Sequence, residues 1–171
     1  RPYRTRRLWL LFNKGPLFYA EYNLRLFFLL LFSRGTMFFT NDLDTLLPNF
    51  LAARIRCKQL VYDTHEFFTE VPELVQRPRV RGVWLAIERW IFPKLRTVIT
   101  VNQSIAKAYR DRYGKELHVV RNIPMPRQLG PVPAKEALGL PADMRILVLQ
   151  GSGINVDRGA EEAVLAMRGL A

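Results

Sequence analysis

The chain predicts an α/β fold in which a parallel sheet carries helices on its faces. Three observations lead there. From Met37 onward, short apolar runs alternate with longer segments of helical periodicity, the pattern of strands joined by helical crossovers. The apolar runs end in Asp, Asn, Ser or Thr, residues that suit a strand tip and the start of the next helix. Apolar residues make up 49% of the 171 positions, enough for a real core in one full domain, or in one domain and the start of another.

Taken in order, Thr36 to Thr40 reads as a strand with Asn41 and Asp42 at its tip. Asp44 is expected to cap a helix from Thr45 to about Cys57, with Pro48 in the first turn, where a missing N–H costs least. Leu60 to Tyr62 is the next strand and ends in Asp63-Thr64-His65-Glu66. Val83, Trp84, Ile87 and Ile91 recur at helical spacing and predict a helix from about Arg81 to Pro93. Thr97 to Val101 forms a third strand. Asn102 and Ser104 are expected to cap the helix after it, whose apolar face includes Ile105, Ala108 and Tyr109, and Leu117 to Val120 gives a fourth strand.

Composition then shifts. Residues 122–144 are proline-rich and read as a linker, with a turn or two of helix at Ala134 to Leu138. Beyond it, residues 145–171 read as a strand (Ile146 to Gln150), a glycine turn and a helix from about Arg158 to Met167. The chain opens without an initiator methionine, so it is expected to continue beyond both ends.

A net charge of +11 points to acidic partners: nucleotide phosphates, nucleic acid or an anionic membrane face. No nucleic-acid-binding motif is present, so nucleic acid is not expected. The single cysteine, Cys57, rules out a disulfide within the chain and is expected to be a buried, inert thiol in a reducing, cytoplasmic setting. The apolar run Leu26 to Phe32, bracketed by Arg25 and Arg34, is far short of the roughly 20 residues that span a bilayer. Its basic and aromatic flanks suit a helix lying on an anionic membrane; a buried helix of the α/β domain is the alternative.

In a doubly wound sheet, functional groups gather at the C-terminal ends of the strands. Asp42, the Asp63 to Glu66 run, Asn102 and Asn122 would share that rim. His65 lies among carboxylates in a strand-end loop, where an imidazole can donate to a substrate hydroxyl or carry a proton. His118, inside a strand, reads as structural. No metal site is expected, because Asp63, His65 and Glu66 are too local to close a coordination shell. The segment Gly151-Ser-Gly-Ile-Asn-Val-Asp-Arg-Gly159 is neither the dinucleotide fingerprint nor a P-loop. Between a strand and a helix, however, Gly151 and Gly153 supply a turn, while Arg158 and Gly159 at the helix start favour a phosphate.

The ordered set Asn41-Asp42-Leu-Asp44-Thr, Val61-Tyr-Asp-Thr-His-Glu66, Val98-Ile-Thr-Val-Asn102, Val120-Arg-Asn-Ile-Pro124 and Gly151 to Gly159 resembles glycosyltransferase family 4, of GT-B fold, from about Asp42 onward. The resemblance implies two Rossmann-like domains facing one another: an acceptor-side domain over residues 1–121, incomplete at its N-terminus, and a truncated nucleotide-sugar-binding domain begun by 145–171. It implies transfer of a sugar from a nucleotide-diphosphate donor to a glycan or lipid-linked acceptor, with retention of configuration and neither metal nor cofactor. Arg158 matches the basic residue on the donor diphosphate, Gly151, Gly153 and Gly159 the turn beside it, and His65 the histidine that reaches the transferred sugar. Asp42, Glu66, Asn102 and Asn122 are candidates for the substrate cleft.

The family's glycine-rich acceptor loop would lie upstream of Arg1, and its second basic residue and paired glutamates beyond Ala171. Arg121-Asn122-Ile123-Pro124 stands where many members have Pro-Asn-Gly. Residues 1–171 alone are therefore expected to be inactive. The expected location is cytoplasmic, peripheral on the inner membrane face. Two alternatives stand beside the resemblance: a basic, non-enzymatic membrane- or nucleic-acid-binding module, and another Rossmann nucleotide-sugar enzyme, which would need a glycine fingerprint after its first strand.

Overall fold

Four strands, Met37–Asn41 (β1), Gln59–Thr64 (β2), Thr97–Thr100 (β3) and His118–Val119 (β4), form one parallel sheet in sequence order. The computed structural model describes residues 5–126, 128, 130–151 and 159–169, which fall into two units, 1–123 and 124–171. The sheet belongs to the first unit. The register aligns Asn41 with Asp63, Thr64 with Thr100, and Thr100 with Val119, so all four C-terminal ends lie along one edge.

The helices of this unit are Gly15–Leu31 (α1), Leu46–Ile55 (α2), Pro72–Val75 (α3), Pro78–Ile91 (α4) and Gln103–Tyr113 (α5). Each strand is added on the same side of its predecessor, and right-handed crossovers that always advance one way place their helices on one face. The packing agrees. Leu46 and Phe50 of α2, Trp84 and Ile91 of α4, and Tyr109 of α5 enclose Tyr62 and Val98 of the sheet. Burying a side chain of this size stabilises the fold by roughly 1.5–3 kcal/mol. Phe38, Ala52 and Ala53 form a second cluster under Phe27 and Leu30 of α1. On the opposite face of β1, Met37 and Phe39 are about half exposed, at 53% and 51%. Among the described residues of this unit, helices therefore cover one face of the sheet rather than both.

Several local expectations change. Asp44 does not cap α2: residues Leu43–Thr45 form a 3-10 turn ahead of it, and the Thr45 hydroxyl is taken up by the Asn41 carbonyl at 2.6 Å. Asn102 does cap α5, its side-chain oxygen accepting the Ile105 amide at 2.8 Å, whereas Ser104 lies within the helix. The same helix stops at Gly114, whose left-handed backbone (φ 64°) lets its amide close on the Arg110 carbonyl. Cys57 is exposed, not buried, because it follows α2 in a tight turn with φ 51° that returns the chain to β2.

In the second unit, Ala160–Met167 (α6) forms where a helix is expected, with Gly159 at its N-cap and a 3-10 turn at Glu136–Leu138. Residues 146–150 are not a strand. A strand persists only through a ladder to a neighbour, and no partner strand exists among the described residues of this unit.

Candidate functional site

The C-terminal edge of the sheet brings five sequence-predicted residues of the first unit onto one rim. Asp42 follows β1, His65 and Glu66 follow β2, Asn102 follows β3 and Asn122 follows β4. They differ in what holds them.

Asp42 is the strained member. Its backbone stands at φ 60°, ψ 165°, a region otherwise left to glycine, and such a conformation costs roughly 1–3 kcal/mol. Its amide donates to the Asp63 carbonyl at 3.0 Å, extending the β1–β2 ladder by one residue. Among the described residues, one carboxylate oxygen, Oδ1, is buried without a hydrogen-bond partner, as is the hydroxyl of Tyr62. Burial, and after it the charge of Asp42, raises the Asp44 carboxyl above its ordinary value.

His65 stands at the end of β2 with its side chain 45% exposed, and its Nδ1 lies 3.4 Å from Asp63 Oδ1. A carboxylate near Nδ1 favours the tautomer with its proton there and leaves Nε2 available to a ligand. The loop behind it is firmly held. The Thr64 hydroxyl donates to the Glu66 carbonyl at 2.7 Å, and Thr100 donates to the Thr64 carbonyl at 2.9 Å. Glu66 itself is exposed. Asn102 spends its side-chain oxygen on the α5 cap, and Asn122 is exposed in irregular chain after β4.

The second unit carries Gly151, exposed and irregular, and Gly159, left-handed (φ 78°) at the start of α6. Gly153 and Arg158 lie outside the described residues. Among the described residues, no three His, Cys, Asp or Glu side chains are grouped to hold a metal, and no helix is long and apolar enough to cross a membrane.

Sequence reasoning missed a buried polar network beneath the His65 loop. Glu88 of α4 is fully buried and takes hydrogen bonds from Tyr113 and from Arg112 at 3.3 Å. Burial raises its carboxyl above the ordinary value despite these donors. Arg112 also reaches Thr69 Oγ1 at 3.0 Å and Glu70 at 2.7 Å. A signal was present: Trp84, Glu88 and Ile91 recur at helical spacing, so a charge lies on the apolar stripe of α4.

The family model described as Glycosyltransferase Family 4 matches residues 1–123, about the extent of the sheet-bearing unit. No curated protein and no solved structure matches the chain.

Proposed function

Because the chain belongs to glycosyltransferase family 4, we propose that it serves transfer of a sugar from a nucleotide-diphosphate donor to a glycan or lipid-linked acceptor, with retention of configuration and without metal or cofactor. The observation that carries this reading is His65, whose Nδ1 lies 3.4 Å from Asp63 at the sheet's C-terminal rim beside the strained Asp42. In this reading Nε2 of His65 forms a hydrogen bond with a hydroxyl of the transferred sugar, accepting in the neutral imidazole and donating only in the protonated one. Asp42, Glu66, Asn102 and Asn122 border the same cleft.

The donor diphosphate is assigned to Gly151, Gly153, Arg158 and Gly159 on their sequence pattern. Amides at a helix start and a fixed guanidinium stabilise charge on a leaving diphosphate without a metal. Residues 1–121 then form the acceptor-side domain, 122–144 the linker, and 145–171 the opening of the donor domain.

A membrane-bound acceptor suits α1. Leu17, Leu24 and Phe28 lie exposed at helical spacing, and Trp9, also exposed, sits beside the Arg25 guanidinium. We place this apolar, basic face on the anionic cytoplasmic leaflet as a peripheral contact.

Donor binding tests the assignment. In the intact protein, Arg158→Ala is expected to weaken the binding of a UDP-, GDP- or ADP-sugar by about 10- to 100-fold, the loss of charged hydrogen bonds. Unchanged affinity across that panel removes Arg158 from the site.

A further inference from the structure

The loop that follows β2 is tied down at a point away from His65. Glu70 is gripped from two helices: Arg81 of α4 reaches both of its oxygens at 2.7 Å, and Arg112 of α5 reaches Oε1 at 2.7 Å. The same two arginines hold the neighbouring residue, Arg81 through the Thr69 carbonyl at 2.7 Å and Arg112 through the Thr69 hydroxyl at 3.0 Å. Arg112 also lies over the Phe67 ring, 4.4 Å from its centre, and rests against buried Glu88. Side chains half-exposed on a surface seldom repay their ordering cost through ion pairs alone. Here Arg81 binds the Thr69 carbonyl as well as Glu70, and Arg112 packs on the Phe67 ring as well as binding Glu70, so both guanidinium planes are fixed.

We propose that Glu70, clamped by Arg81 and Arg112, is a positioning residue that fixes the loop carrying His65 for substrate. The proposal rests on the His65 site described above. The clamp closes one end of the loop while Thr64, buried in β2, closes the other, so residues 65–68 span two fixed points. With the clamp open, His65 keeps its Asp63 neighbour but loses the support that aims the ring.

The test uses both a spectrum and kinetics. The chain has two histidines, so the imidazole signals of His65 and His118 are separable by NMR. Glu70→Gln removes the charge and keeps the length. It is expected to move and broaden the His65 signal and leave His118 unmoved. The Glu70 amide, bonded to the Phe67 carbonyl at 2.7 Å, should exchange at least about tenfold faster, with the Ala106 amide of α5 unchanged. If that variant fails to fold, Arg81→Lys carries the same measurement. An unmoved His65 signal, or exchange that rises uniformly through the chain, overturns the proposal.

In the intact protein, Glu70→Gln should lower kcat for transfer more than it changes KM, and adding it to His65→Ala should cause no further loss. Losses that multiply overturn the clamp while leaving His65 in the site. A His65→Ala variant with full activity overturns the site, whereas the NMR result still decides whether Glu70 holds the loop.

Discussion

The buried carboxylate of Glu88 accepts the Tyr113 hydroxyl, joining the last turn of α4 to the last residue of α5. The Tyr109 hydroxyl stands 3.4 Å from Glu88 and also 3.4 Å from Thr64, so the link continues to the end of β2. Removing the acceptor strands these donors. Glu88→Ala is expected to cost about 2–3 kcal/mol, since Arg112 and two tyrosine hydroxyls lose a partner. Glu88→Gln, which still accepts, should cost less. Urea denaturation midpoints of the two variants check the order.

Glu70 gives the fold an acid limb. Its partial burial favours the neutral form, but hydrogen bonds and charge from Arg112 and Arg81 outweigh burial and hold the carboxyl below its ordinary value of 4.5. Between the two values the unfolded chain binds more protons than the folded one. Stability from this group is therefore full above about pH 4.5 and is lost as pH falls through the folded value. Glu88 acts in the opposite sense, because burial raises its carboxyl and acidification relieves the cost of ionising it. Glu70→Gln should flatten the loss of stability below about pH 4.5, followed by thermal unfolding at a series of pH values. An unchanged acid limb would mean that other carboxylates set it.

Asp42 should trade stability for function. Asp42→Gly relieves the φ 60° strain, at the expense of a more flexible unfolded chain, for a net gain of about 1 kcal/mol. The same variant removes the Asp42 carboxylate from the rim and should reduce transfer. A destabilised Asp42→Gly protein would show that the carboxylate supports the fold instead.

Asn102 separates capping from binding. Asn102→Ala is expected to cost about 1 kcal/mol, read from the unfolding midpoint, because the Ile105 amide loses its acceptor. Asn102→Asp, which caps equally well, should restore the stability. Substrate binding that follows the amide rather than the cap would place Asn102 in the cleft.

The sheet was legible because each strand announces itself by an apolar run and a polar tip, as in Val98-Ile-Thr-Val-Asn102. The rim followed from it, since parallel strands share one C-terminal edge and that edge collects Asp42, His65, Asn102 and Asn122. Tertiary partners were not legible. Glu70, Arg81 and Arg112 are ordinary surface charges in sequence and meet only when the loop after β2, α4 and α5 are packed. Residues 146–150 failed in the other direction: their apolar run promises a strand, but pairing is decided by a neighbour, not by the run. At Cys57 hydrophobicity misled, because a turn with positive φ places the residue outside regardless of its side chain. Arg158 and Gly153 rest on sequence pattern alone.

The most direct test of the account is sugar transfer by the intact protein from a panel of UDP-, GDP- and ADP-sugars, comparing wild type with His65→Ala. His65 is half exposed, so its replacement should leave the unfolding midpoint nearly unchanged. The expected kcat is lower by about 10- to 100-fold, the worth of a hydrogen bond made to the transferred sugar. Wild-type kcat in the His65→Ala protein would contradict it.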